Sequence, residues 1–387
     1  MPSTTLYADT AGKLFTDAGS GRIQVTFTNT AGSITAFTPT SYTGPLEIPS
    51  TLAGSTVTSI GQYAFSSIGL TSITIPASVT SIGTRAFDNS TSLATVTFAS
   101  GSQLLTIENY AFQSCTSLTS IVIPSSVTAI GYAAFFGCDK LTSIIIPASV
   151  TTIGAVAFVN CSKLATVTFE SGSNLLYIGS LFVGCTSLTS INIPTSVIDI
   201  YDEAFRNCSS LTSITIPALV TSIASQAFKG CTSLATVTFL GDVPTLGVDA
   251  FTGISASANA YYITNSRNTN LLQYFKGLVT YTTSGSITGF LPKAYVGQLE
   301  IQSILGGVNV TSIGSSAFRD CTLLTSVTFS SGSQLLTIGT NAFNSCTKLT
   351  SINIPASVTT IDGAAFRDCA GLTSVTFSSG SLLQTIG

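Results

Sequence analysis

The chain of 387 residues has no histidine, no tryptophan, a single methionine and only 7% charged residues. Ordinary globular domains carry roughly 25% charge. Each shortage excludes something. Without histidine, the commonest general base near neutral pH and the commonest metal ligand are both missing. Thirteen Lys and Arg against sixteen Asp and Glu give a formal charge of −3, with no basic face to neutralise a phosphate backbone. That argues against nucleic acid as a partner. Hydrophobic residues make up 44%, but they are dispersed. No run approaches the ~20 apolar residues of a membrane-spanning helix. The opening "MPSTTLYADTAGKLF" lacks a basic stretch followed by an apolar one, so no secretory signal is expected within it.

Catalytic signatures are also missing. There is no P-loop, no G-x-G-x-x-G after a strand, no H-E-x-x-H, no G-x-S-x-G elbow and no EF-hand loop. Asp202–Glu203 is the only adjacent acidic pair, and a solvated corner accounts for it. The expectation is a protein that is not an enzyme, with no cofactor, no metal site and no catalytic residue.

What the chain does have is repetition. A phenylalanine, preceded by alanine in all but one case, recurs as Phe65, Phe87, Phe112, Phe135, Phe158, Phe182, Phe205, Phe228, Phe251, Phe318, Phe343 and Phe366. Leu181 replaces the alanine before Phe182. The intervals are 22 to 25 residues, apart from one gap of 67. A period near 23 over twelve units is the mark of a solenoid, in which each coil buries its apolar edge against the next. In 118–140, "LTSIVIPSSVTAIGYAAFFGCDK", Ile121 and Ile123 alternate as in a strand, and Pro124 ends it because proline has no N–H for a ladder. "SVTAI" is a second short extended stretch, and Gly131 is expected to allow a tight turn. "YAAFFGC" then folds back to drive Phe135 inward; it is too short for a regular helix. The phenylalanines therefore form a structural core ladder, between coils about 4.8 Å apart.

Nine cysteines, Cys115, Cys138, Cys161, Cys185, Cys208, Cys231, Cys321, Cys346 and Cys369, each follow the repeat phenylalanine by three residues. Ile68, Ser90 and Ile254 take the place in the other coils, which points the position inward. Stacked Cβ atoms aim the same way, poor geometry for a disulfide, and no C-x-x-C or histidine completes a zinc site. The expectation is a buried, reduced thiol ladder.

Expanded coils differ at one corner: "FASGSQLLTI" (98–107), "FESGSNLLYI" (169–178) and "FSSGSQLLTI" (329–338) replace the "IPASVTSI" pattern. Their Ser-Gly-Ser corners should bulge on one side. In the compact stretch "IPASVTSIGTRAF" (75–87), the residues left free for recognition are Ala77, Ser78, Thr80, Ser81, Thr84 and Arg85. Outward strand positions read Ser72/Thr74, Thr95/Thr97, Thr166/Thr168, Ser213/Thr215, Thr236/Thr238, Ser326/Thr328 and Ser374/Thr376, interrupted by Val122, Ile145, Asn192 and Asn353. Such Thr-x-Thr ladders resemble ice-binding solenoids; threonine is also simply a good exposed strand residue. Asparagine sequons stand at Asn89, Asn160, Asn207 and Asn309.

A larger repeat overlies the small one. Residues 32–65 align without gaps to 285–318, with 21 of 34 positions identical. The expected organisation has an N-terminal β cap over 1–44, containing strands at 22–28 and 33–39. A nine-coil array covers 45–253, and a cap or linker covers 254–283. A lead-in strand at 284–298 then opens a second array over 299–387, truncated or uncapped. In the 254–283 segment a strand at 260–264 should precede a short helix, with Leu271, Phe275 and Leu278 at helical spacing, Asn268 or Thr269 as cap and Gly277 at its close.

The unit "CTSLTSIxIPxSVTxIGxxAFxxC" resembles the BspA-like (Treponema-type) leucine-rich repeat, over about 45–251 and 299–387. The resemblance implies a β-rich leucine-rich repeat solenoid of ~23-residue coils with a parallel sheet, little helix and two tandem capped modules. It further implies an extracellular or cell-surface location, with a virion surface as a variant. The function it implies is recognition or adhesion toward a protein or carbohydrate ligand. A building block that self-associates in a fibre, surface layer or virus particle is the alternative, and ice binding a remoter one.

Overall fold

The structure, a computed structural model, describes residues 7–8, 14–18, 21–263, 277–291, 293, 295–305 and 307–387. The chain divides into two compact units. The first comprises Met1–Thr212, Leu219–Ser233 and Thr245–Ile254; the second comprises Ser213–Ala218, Leu234–Pro244 and Ser255–Gly387. Each is a solenoid of parallel sheets, and no helix occurs among the described residues.

In the first unit each coil up to residue 212 contributes one strand to each of two walls. One wall runs from Thr43–Glu47 through Gly69–Ile75, Thr95–Phe98, Ser120–Ile121, Ser143–Ile146 and Thr166–Phe169 to Ser190–Ile191, all parallel. The second is made of two-residue strands such as Ser81–Ile82, Thr106–Ile107 and Ala129–Ile130. It opens on a hairpin in which Gly21–Thr30 runs antiparallel to Ser33–Thr38. Between the walls, proline closes a tight turn by accepting a hydrogen bond from the valine three residues on, as in Val127 N to Pro124 O at 3.0 Å. Proline suits this place because the ladder asks no N–H of it.

The arc bearing the phenylalanines is a third wall. Its residues are turns, yet its amides bond from coil to coil: Phe112 N to Ala134 O and Phe135 N to Ala157 O, both 2.8 Å. The arc achieves this with left-handed residues. The position two after each repeat phenylalanine has positive φ in all twelve coils, filled by Gly, Asn, Ser or Asp. Three of the four sequons, Asn89, Asn160 and Asn207, stand there, so the turn itself explains their asparagine. The position two before is also left-handed in eleven coils, occupied by residues as unsuited as Tyr63, Arg85 and Val156.

This relocates the role expected of the Ile-Gly glycine. Gly131 does not have positive φ; Ala133 does, at 52°. A Cβ on Gly131 would lie 2.5 Å from Asn109 N, so glycine serves the close approach of neighbouring coils. The coil of Phe182 lacks one arc residue, "IGSLF" against "IGYAAF", and has no left-handed residue before its phenylalanine. There the short-strand wall breaks: Thr152–Ile153 ends one sheet and Tyr177–Ile178 begins another.

The repeat phenylalanines fill the interior. From Phe65 to Phe251 successive rings stack with centroids 4.9 to 5.8 Å apart and planes within 17°. All are buried; Phe366, in the second unit, is partly so. Burial of each ring is worth about 1.5–3 kcal/mol.

The second unit begins with Ser213–Ile216, Thr236–Phe239, Asn259–Ile263 and Gly277–Tyr281 in parallel, and Ser286–Leu291 returns antiparallel. Coils then resume, with Gly297–Ile301, Leu324–Phe329, Ser351–Ile354 and Ser374–Phe377 in one wall. Tyr261 and Tyr281 are buried here, and the Tyr261 hydroxyl donates to Glu300 O at 3.0 Å. Gly277 and Leu278, read from sequence as the close of a short helix, belong to a strand, because five residues pair in register with Asn259–Ile263. Leu271, Phe275 and the expected cap at Asn268 or Thr269 lie outside the described residues.

Candidate ligand-binding surface

The outer face of the long-strand wall carries two columns of side chains. In the first unit one column reads Ser72, Thr95, Ser120, Ser143, Thr166 and Ser190, in register by strand pairing. The other contains Thr74, Thr97, Val122, Ile145, Thr168 and Asn192. Val122 and Ile145 are 78% and 52% exposed, the apolar interruption in a hydroxyl-bearing face. In the second unit Thr238 is not exposed to solvent, as its outward strand position suggests it would be. It is buried opposite Tyr261, because the Asn259–Ile263 strand brings a large ring where other coils offer a small polar residue.

The expanded corners shape this face. Where the compact pattern continues Ile-Pro and closes tightly, the expanded one places a phenylalanine and then Ser-Gly-Ser. Ile75, Ile146 and Ile216 are buried at that position, whereas Phe98, Phe169 and Phe329 are partly exposed. Gly101, Gly172 and Gly332 all have positive φ, with open space where a Cβ would be, and so does Gly380 in a fourth corner of this kind, 377–386, behind exposed Phe377. Each of the first three bulges is pinned by the serine of the following coil. Ser126 Oγ donates to Ser102 O and Leu104 O at 3.1 and 2.7 Å. Ser196 does the same to Ser173 O and Leu175 O, and Ser357 to Ser333 O and Leu335 O.

A groove opens between the bulge and the next strand. In the first unit it has a volume of about 520 Å³, bounded by Thr97, Phe98, Gly101, Ser102, Val122 and Pro124. In the second unit the equivalent groove measures about 440 Å³, bounded by Thr328, Phe329, Gly332, Ser333, Asn353 and Pro355. Every one of these positions corresponds at a constant offset of 231 residues. Neither groove has a charged residue in its lining. Sequence reasoning marked the bulged corners but not the grooves. The signal was the phenylalanine that replaces Ile-Pro just before each Ser-Gly-Ser.

The residues expected to be free in the compact corner are partly committed to the wall. Ser78 Oγ donates to Val57 O at 2.6 Å, Thr80 Oγ1 to Thr58 O at 3.1 Å, and Arg85 is ion-paired to Asp88 at 2.8 Å. The Arg85 guanidinium also lies 4.3 Å from the Tyr110 ring centre, and Tyr110 meets Tyr132 edge-on at 5.3 Å.

The cysteines lie inside. Eight are buried and Cys369 is partly so; none forms a disulfide. Their thiols have a specific partner: Cys115 Sγ donates to Phe87 O, Cys138 to Phe112 O, and Cys161 to Phe135 O, each at 3.2 Å. Cys185, Cys208 and Cys231 repeat the contact with Phe158, Phe182 and Phe205, and Cys346 and Cys369 with Phe318 and Phe343. Ser90 reproduces it on Phe65 O at 2.8 Å, so a small donor here ties one arc to the last, while Ile68 and Ile254 take the position in two coils without donating. Burial pushes the Cys161 and Cys231 thiols up to about 12 and raises Cys115, Cys138, Cys185 and Cys208 as well. Such thiols are poor nucleophiles and poor ligands. Among the described residues no group of His, Cys, Asp and Glu is arranged to hold a metal ion. No helix among them is long and apolar enough to cross a membrane.

The sequence profile of the BspA type leucine rich repeat region matches in six copies, over residues 35–165, 166–269 and 290–387. No curated protein matches the chain. Among solved structures, a leucine-rich repeat protein from Bacteroides ovatus is 24% identical over 100% of this chain and 90% of its own, with a TM-score of 0.48. A leucine rich cell surface protein from Faecalibacterium prausnitzii is 25% identical over 100% and 99%, with a TM-score of 0.44. The leucine rich repeat protein of Treponema pallidum is 24% identical over 65% and 88%, with a TM-score of 0.34.

Proposed function

Because the chain belongs to the BspA-type leucine-rich repeat family, we propose that it is a non-enzymatic recognition and adhesion module acting outside the cell or at a cell surface. The observation that supports this reading most is the outer wall: hydroxyl side chains held in register over successive coils, indented by uncharged grooves. With so little charge, long-range steering contributes little. Affinity then comes from shape, hydrogen bonds and many weak repeated contacts, the regime in which avidity exceeds single-site affinity. The interior ladders set coil spacing and take no direct part.

Beads coated with the purified chain, washed over arrays of matrix proteins and glycans, test the reading. Retention on at least one class is expected, and it should be insensitive to added salt. Failure to be retained on either class overturns it.

A further inference from the structure

The two grooves share a construction that suits one kind of ligand. Each has a partly exposed phenylalanine ring, Phe98 or Phe329, beside a rigid proline, Pro124 or Pro355. Around these stand hydroxyl groups and backbone amides, with no charge. Volumes of about 440 and 520 Å³ fall within the usual range of small-ligand sites, roughly 300–1,000 Å³. Protein-binding hot spots are enriched in Trp, Tyr and Arg and poor in Ser, Thr and Val. Apart from the single phenylalanine, these linings show the opposite composition, with no Trp, Tyr or Arg and several Ser and Thr. A ligand with an apolar ring face and a rim of neutral hydroxyls matches both the phenylalanine and the hydroxyls.

We infer that the grooves beside Phe98 and Phe329 are two copies of one subsite for a neutral pyranose unit of a polysaccharide, with the residue at 122 or 353 setting which sugar each accepts. This rests on the recognition reading above and names its ligand class. The phenylalanine offers a face to the sugar's C–H groups. Thr97 and Thr328 stand on the adjacent outward strand position and give hydroxyls to the rim. At the discriminating position, exposed Val122 offers only a methyl surface, which rejects a polar substituent by leaving it unpaired. Asn353 offers a carboxamide with two donors and two acceptor sites. Its Nδ2 donates to Ser378 Oγ at 3.3 Å and its Oδ1 accepts from Thr376 Oγ1 at 3.1 Å, which fixes the amide plane and leaves capacity for a sugar hydroxyl. The corner at Phe169 carries Asn192 but places Glu170 where the grooves have Ala99 and Ser330. Glu170 gives that rim a charge which both grooves lack, and its carboxylate already accepts from Ala148 N at 3.2 Å, so that corner is left out of the pair.

Saturation-transfer NMR on the full chain tests this, with neutral tetrasaccharides of glucose, galactose and mannose as probes and a sulfated tetrasaccharide as control. At least one neutral probe should receive saturation at millimolar concentration, and the sulfated control none. F98I/F329I places the residue of the compact coils at both positions, so the fold should survive, as an unchanged thermal melt would verify. It should lower the signal at least threefold. V122N should move the first groove's preference among the three probes toward that of the second. Absence of signal from every neutral probe, or a signal undiminished in folded F98I/F329I, overturns the inference. So does a probe preference unmoved in V122N. If the sugars fail while bead retention on matrix proteins persists, the ligand class is wrong and the recognition reading stands.

Discussion

The arc around Phe135 and the corner after Phe98 belong to the same kind of coil, yet they tolerate change differently. In the arc, the ring is buried between Phe112 and Phe158, its amide bonds to the next coil, and its carbonyl receives a thiol. Every direction is taken, so the position repeats through the chain. In the corner, a phenylalanine can replace Ile-Pro, two residues can be added, and a serine from the next coil still finds two carbonyls to hold. Regularity resides where neighbours meet on all sides. Variation resides where one side is solvent.

Alkaline pH should break the arc most severely. A buried thiol raised from 9.0 to about 12, as at Cys161 and Cys231, is held neutral by the fold. The unfolded chain ionises first, so stability is unaffected below about pH 8.5 and falls as pH rises from there to about 12. With several thiols affected alike, urea midpoints measured from pH 7 to 11 should be flat to about 8.5 and then drop steeply. A flat profile to pH 11 would contradict the buried ladder.

Next in size is Phe135→Ala, which leaves a cavity between two stacked rings and should cost about 3–5 kcal/mol in urea unfolding. A smaller effect of opposite sign is expected at Val156, a β-branched residue at φ 55°. Val156→Asn should stabilise by about 1 kcal/mol, since asparagine tolerates the left-handed region and valine does not. The smallest effect belongs to the corner: Phe98→Ile should shift stability by less than about 1.5 kcal/mol, as a hydrophobic exchange at a partly exposed site. If Phe98→Ile were as costly as Phe135→Ala, the division between arc and corner would be wrong.

How far the sequence can be read follows the same division. The parallel walls were legible because Ile, Pro and Phe recur with a fixed period, and a period cannot be satisfied by a solitary coil. The arc's third ladder was not, because its left-handed positions before phenylalanine hold Tyr, Arg, Gln and Val, none of which announces that conformation. Gly131 looked like the turn residue and is instead a clearance residue. The thiol-to-carbonyl bond left one trace, the single serine at position 90, which reads as a donor only once Phe65 O is seen beside it. Thr238 shows the reverse limit: its spacing pointed outward, and a tyrosine from an irregular strand covered it. The grooves arise from two coils jointly, so no single repeat unit displays them.

The Ser-Gly-Ser corner has a consequence for how such a protein diversifies. An insertion there lengthens the chain but leaves the strand pairings on either side aligned, Thr95 with Ser120 and Thr106 with Ala129. A short duplication in the gene therefore installs a concavity at one chosen coil without disturbing the rest. The number and placement of these insertions act as a positional code, written in loop length, that a lineage can edit one coil at a time.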